Sequence, residues 1–146
     1  MSTRQIHVFI SHSWSYSDHY ATLSKWIFDE KWSVGQASLD FRDYSVPKSD
    51  PILGVSTELK IRKALDEQIS RSHVLVIPSG MYASHSDWIQ KEIESAARYG
   101  KPILAIDPWG QQRASAIVTA AAAKSVGWNK EPLITAIWEL YRANND

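Results

Sequence analysis

The chain contains no cysteine, which excludes disulfides, thiolate metal sites and cysteine nucleophiles and leaves nothing that points to an oxidising compartment. It also lacks an excess of either charge, since 16 Lys and Arg face 16 Asp and Glu. No basic run gathers into a stripe that could follow a phosphate backbone, so nucleic acid is not an expected partner. Long apolar runs are missing as well. The opening stretch MSTRQIHVFISHSW is only briefly hydrophobic and is interrupted by His7, and no segment approaches the roughly 20 residues needed to cross a bilayer. A cytoplasmic protein that neither spans nor targets a membrane is expected. The five histidines, His7, His12, His19, His73 and His85, are not spaced with carboxylates as a ligand motif, so no metal is expected. Ser13 beside His12 lacks the G-x-S-x-G turn of a hydrolase nucleophile.

What is present is aromatic and periodic. Seven tryptophans and six tyrosines supply core ballast or stacking surfaces for flat ligands. The length of 146 residues fits one domain, 1–146, with no repeat, low-complexity tract or linker inside it. Short Val- and Ile-rich runs alternate with segments of helical period, the pattern of a parallel sheet covered by helices on both faces. Strands are expected at Ile6 to Ser11, Ala37 to Phe41, His73 to Pro78, Ile103 to Ile106 and Val126 to Trp128. The helices between and after them are expected near Ser17 to Glu30, from Ser56 onward, from Ser84 to Gly100, at Ser115 to Ala123 and at Glu131 to Arg142. Ser84 with Asp87 three residues on reads as a capping box, and Gly100 before Pro102 as a stop. Arg42 to Val55, with Pro47 and Pro51, reads as a long loop.

Ligands of open α/β sheets bind beyond the carboxyl ends of the strands. That rule selects Ser11, His12 and Trp14 after the first strand, Phe41, Arg42 and Tyr44 after the second, and Ser79, Tyr82 and Trp88 after the third. Arg42 suits a phosphate, or pairs with Asp40 or Asp43 on the surface. Phe41 and Tyr44 suit a ring. Ser11 and Ser79 offer hydroxyls to a ribose or to loop amides. In the third helix Ile89, Ile93, Ala96 and Ala97 form the expected buried stripe, which places Trp88 and Glu92 on an adjoining edge facing the crevice. Taken alone, Glu92 also reads as an ordinary solvated helix residue.

The strand HVFISHSW, the loop DFRDYSVPKSDP, the unit HVLVIPSGMYASHSDWIQKEI and the following GKPILAI resemble, across nearly the whole chain, the successive motifs of Toll/interleukin-1 receptor (TIR)-like domains. More narrowly, they are similar to the family of the signal-generating subunit of bacterial Thoeris antiphage systems. The most specific parts are F-I-S in the first strand and S-x-W-x-x-x-E, here Ser86, Trp88 and Glu92. The resemblance implies a flavodoxin-like fold, which with the strands above means a five-stranded parallel sheet. It also implies cleavage of NAD with Glu92 as the catalytic glutamate, and a cyclic ADP-ribose isomer that activates a partner effector. Expected partners are thus NAD as substrate rather than cofactor, the effector reached through the diffusible product, a phage-derived trigger and further copies of the chain. The sequence departs from many TIR domains in leaving the first strand through Ser11-His12 and in an Asp-rich loop after the second.

One carboxylate beside an aromatic wall suits this reaction, because nicotinamide leaves as a neutral molecule and needs no proton donor, unlike the alkoxide that ordinary glycosidases expel. Three rivals share the expected fold. A phosphorylation receiver needs acidic residues where this chain has Ser11-His12 and Pro78-Ser79, and an FMN cradle is only faintly imitated by Ser11 to Ser15. A non-catalytic TIR-like interaction module is not excluded by fold.

Overall fold

The computed structural model describes residues 2–11, 18–45, 58–78, 82–107 and 116–145. The strands are β1 (Ser2–Ile10), β2 (Trp32–Val34), β3 (Ala37–Asp43), β4 (Val74–Pro78), β5 (Ile103–Asp107) and β6 (Lys124–Gly127). The helices are α1 (Asp18–Phe28), α2 (Glu58–Ser70), α3 (Tyr82–Tyr99), α4 (Ala116–Ala121) and α5 (Lys130–Asn145). Among these residues no helix is long and apolar enough to cross a membrane.

The sheet has six strands in the order β2-β3-β1-β4-β5-β6, and β2 runs antiparallel to β3. This corrects the expected five parallel strands. The extra strand follows from Gly35, whose φ of 60° opens a two-residue turn with Gln36 and folds Trp32–Val34 back onto β3. Three residues are too few to show a period, which is why the strand left no pattern in the sequence. The five strands β3-β1-β4-β5-β6 are parallel throughout, and numbered among themselves they run 2-1-3-4-5, the flavodoxin-like order.

The central strands are apolar on both sides because both sides are covered. On one face Ile6, Val8, Ile10, Val74, Val76 and Leu104 pack against Leu23 and Ile27 of α1 and Leu133 and Ile137 of α5. On the other, Phe9, Leu75, Ile77 and Ala105 meet Leu65 and Ile69 of α2, Ile89 and Ala96 of α3 and Val118 of α4. The connections from β1 and β4 therefore leave to opposite faces. Since β1 and β4 are neighbours, the switch point of the sheet lies between their carboxyl ends, the place where open α/β sheets receive ligands.

Helix α3 begins at Tyr82, two residues before the capping box read at Ser84, so Ser84 lies inside the helix. Its end is as expected. Gly100 has φ 66°, Lys101 N–H bonds the Ala96 carbonyl at 2.9 Å and Gly100 N–H the Ala97 carbonyl at 3.4 Å, the paired closure of a Schellman cap.

Candidate active site at the β1/β4 crevice

The strand period carries the site's first residue into place. Ile6, Val8 and Ile10 point to the α1/α5 face, so Phe9 and the next residue after β1, Ser11, point to the α3 face. The Ser11 N–H bonds the Val76 carbonyl at 2.9 Å, extending the β1–β4 ladder by one step and fixing the backbone there. Its hydroxyl donates to Glu92 Oε1 at 2.6 Å, and both residues are completely buried. A contact this short between a hydroxyl and a carboxyl oxygen has the geometry of a charge-assisted hydrogen bond. A carboxyl group taken out of water needs such partners.

The helix face that presents Glu92 differs from the expected one. Among the residues of α3 whose burial is described, 89–99, Ile89, Glu92, Ser95 and Ala96 are buried, while Ile93 is only partly buried and Ala97 is exposed. Glu92 thus lies within the buried stripe and points at the end of β1, not along an adjoining edge. The polar pair at its centre is satisfied on the spot: Ser95 Oγ donates to Asp66 Oδ1 of α2 at 2.5 Å, and Arg98 holds the other oxygen of Asp66 at 2.7 Å. These bonds tie the face of α3 that carries Glu92 to α2.

Of the other expected contacts, His12, Trp14 and Ser79 lie outside the described residues, as do the side chains of Tyr82 and Trp88. Trp88 is in α3, one turn before Glu92. Of the three residues read after the second strand, Phe41 and Arg42 lie within β3, which runs on to Asp43, and Tyr44 follows it directly. Phe41 is a core residue, 8% exposed, on the α1/α5 face and hence across the sheet from Glu92. Arg42 points to solvent and pairs with Asp40 through Nε and a terminal nitrogen at 3.1 and 3.0 Å, the surface alternative. Tyr44 stacks on His7 with ring centroids 4.1 Å apart. Among the described residues, Ser11 is the expected contact that the fold brings to Glu92.

Two features escaped the sequence reading. The β1–β3 register ends at Val8 and Asp43, and beyond it the Ile10 N–H is received by the side chain of Ser45, at 2.9 Å, in place of a backbone carbonyl. Ser45 is itself pinned by its N–H to Asp43 Oδ1 at 2.9 Å, a carboxylate that also accepts from the Tyr20 hydroxyl at 3.2 Å. Burial, with the charge of Asp43 second, pushes the Tyr20 phenol up to about 12. The signal is Asp-x-Ser at the end of a strand, Asp43 to Ser45, a spacing that closes a side-chain turn. The second feature is His73, whose Nδ1 accepts the His7 N–H at 2.9 Å and whose ring lies 4.6 Å from that of His7. Burial, then His7, then Lys101 bring its pKa down to about 4.

Among the described residues no three His, Asp or Glu side chains gather as a metal site. Clefts of about 510 Å3 beside β6 and α5 and of about 520 Å3 between Arg62 and Tyr99 contain neither Ser11 nor Glu92. The arrangement at the crevice is therefore a buried carboxyl group, aimed by a helix and gripped by a strand-end serine, able to accept a hydroxyl proton or to face a developing cation.

Residues 9–113 match the family model of the TIR-like domain of the Thoeris protein ThsB, a span that includes both Ser11 and Glu92. A search of curated proteins finds no match. The chain belongs to the Thoeris ThsB TIR-like domain family.

Proposed function

We propose that this chain cleaves the bond between the ribose and the nicotinamide of NAD, with Glu92 as the catalytic carboxylate. The observation that carries the reading is the buried Ser11–Glu92 contact at the β1/β4 crevice, where an open α/β sheet receives its ligand. In the reaction the C1′–N bond breaks and its electron pair returns to the pyridine nitrogen, so nicotinamide leaves neutral. The cation left at the ribose is stabilised by the Glu92 charge, which also accepts a hydrogen bond from a ribose hydroxyl. A nucleophilic atom of the folded-back ADP portion then closes a cyclic ADP-ribose, the signal that reaches a partner effector; attack by water gives ADP-ribose and a proton instead. Proximity of adenine to the cleaved ribose favours closure.

One observation favours a second reading, a non-catalytic interaction module: Glu92 is completely covered by its own chain. A purely structural glutamate at this place would look the same. Glu92→Gln separates the two, because the amide keeps the size and can still accept from Ser11 while losing the charge. The expected outcome is a melting temperature close to that of the wild type and nicotinamide release lowered by about 100-fold or more, followed by chromatography with mass detection. Equal release by both proteins refutes the assignment, and absence of release from the wild type supports the module.

A further inference from the structure

We infer that Ser11 is a positioning residue, which holds the Glu92 carboxyl in one rotamer by donating its hydroxyl proton to it and does not donate that proton to a ribose. This deepens the proposed NAD cleavage and, for its kinetic consequence, rests on it. The geometry assigns the role. Ser11 Oγ is 2.6 Å from Oε1, and its hydrogen is committed to that oxygen. A hydroxyl has one proton to donate, so while it holds Glu92 it has none for a substrate oxygen. Ser11 is also the more rigid of the two: its N–H is tied to Val76 and the N–H just before it to Ser45, whereas the glutamate has three side-chain torsions to settle. The strand end is thus the fixed point and the carboxyl group the part being held. Preorganisation of this kind is needed when a charge must meet a cation that exists only in the transition state.

Three variants separate the hydroxyl from the volume it fills. Ser11→Ala removes both the oxygen and the donor, Ser11→Cys keeps the volume with only a weak donor, and Ser11→Thr keeps the hydroxyl. The first readout does not depend on turnover: three-bond couplings across χ1 and χ2 of Glu92, measured on protein with labelled glutamate and accompanied by a melting curve. Single-rotamer values are expected for the wild type and Ser11→Thr, and averaged values for Ser11→Ala and Ser11→Cys. The second readout is kinetic. In Ser11→Ala and Ser11→Cys, kcat for nicotinamide release is expected to fall by about tenfold or more, the loss of one hydrogen bond to a charged group, with KM within about twofold and most of kcat recovered in Ser11→Thr. Single-rotamer couplings in Ser11→Ala, or wild-type behaviour of Ser11→Cys, overturn the inference. A KM that rises with kcat unchanged also overturns it and returns Ser11 to the substrate. If the wild type releases no nicotinamide, the proposed reaction fails, and the couplings still decide what Ser11 does.

Discussion

Ser45→Ala tests whether the end of β1 is fixed by a side chain. The Ile10 N–H points toward β3 where the backbone register has already ended, and the Ser45 hydroxyl is its acceptor at 2.9 Å. Ser45 is 6% exposed and Ile10 is completely buried, so water has little access to the amide once the hydroxyl is gone. An orphaned buried N–H costs about 1–3 kcal/mol, and the volume lost, one oxygen, adds little. For a chain of this size each kcal/mol moves the melting temperature by roughly 2–4 °C. A central value of about 2 kcal/mol therefore lowers it by about 4–8 °C. Two measurements check this: a thermal melt against the exposed-site control Ser33→Ala, and amide hydrogen exchange at Ile10, which should lose protection more than Val8 does. A melting temperature within about 1 °C of the wild type, together with an unchanged Ile10 exchange rate, would refute the reasoning. The test bears on the site because the next residue is Ser11. A frayed Ile10 loosens the serine that grips Glu92.

Two other predictions concern stability away from the crevice. The His73 pKa of about 4 lies below its ordinary 6.5, so the folded chain binds fewer protons than the unfolded one between those values. Stability from this group is complete above pH 6.5 and is lost as pH falls toward 4; His73→Asn, whose amide oxygen can still accept the His7 N–H, should flatten that part of a urea-midpoint-versus-pH curve. An equally steep loss in the variant would refute the assignment to His73. At the end of α3, Gly100→Ala meets no atom within 4 Å but must hold φ 66°, so a cost of about 1 kcal/mol, seen as a melting temperature lower by about 2–4 °C, would be conformational rather than steric.

The long periodic and apolar runs were legible. HVLVIP reads as a buried strand because it is one, lying between β1 and β5 with both faces covered, and the Gly100 stop was readable because only a left-handed cap needs that residue there. What the sequence hid depends on partners. Three residues of β2 carry no period and become a strand only when Gly35 turns them onto β3. Phe41 reads as the last residue of its strand, at the ligand end, because nothing local tells where a ladder will stop; the register with β1 carries β3 through Asp43 and sends that ring into the core. The α3 stripe was misread at Ala97 because alanine fits either side of a helix, while Glu92 and Ser95 entered the buried face only because Ser11 and Asp66 were waiting for them. Ser11 and Glu92 were each legible as candidates. Their contact was not.

The two halves of that contact are 81 residues apart in the chain. Bringing them together requires β1 to be already seated beside β4 and α3 to be laid back over the sheet, so the entropy of closing a long loop is met before the pair can form. No hairpin, helix or other local fragment of the chain can contain it. The carboxyl group's grip therefore depends on long-range assembly, and any opening that lifts α3 from the sheet breaks it. Competence at the crevice is a property of the assembled domain, present or absent with its topology.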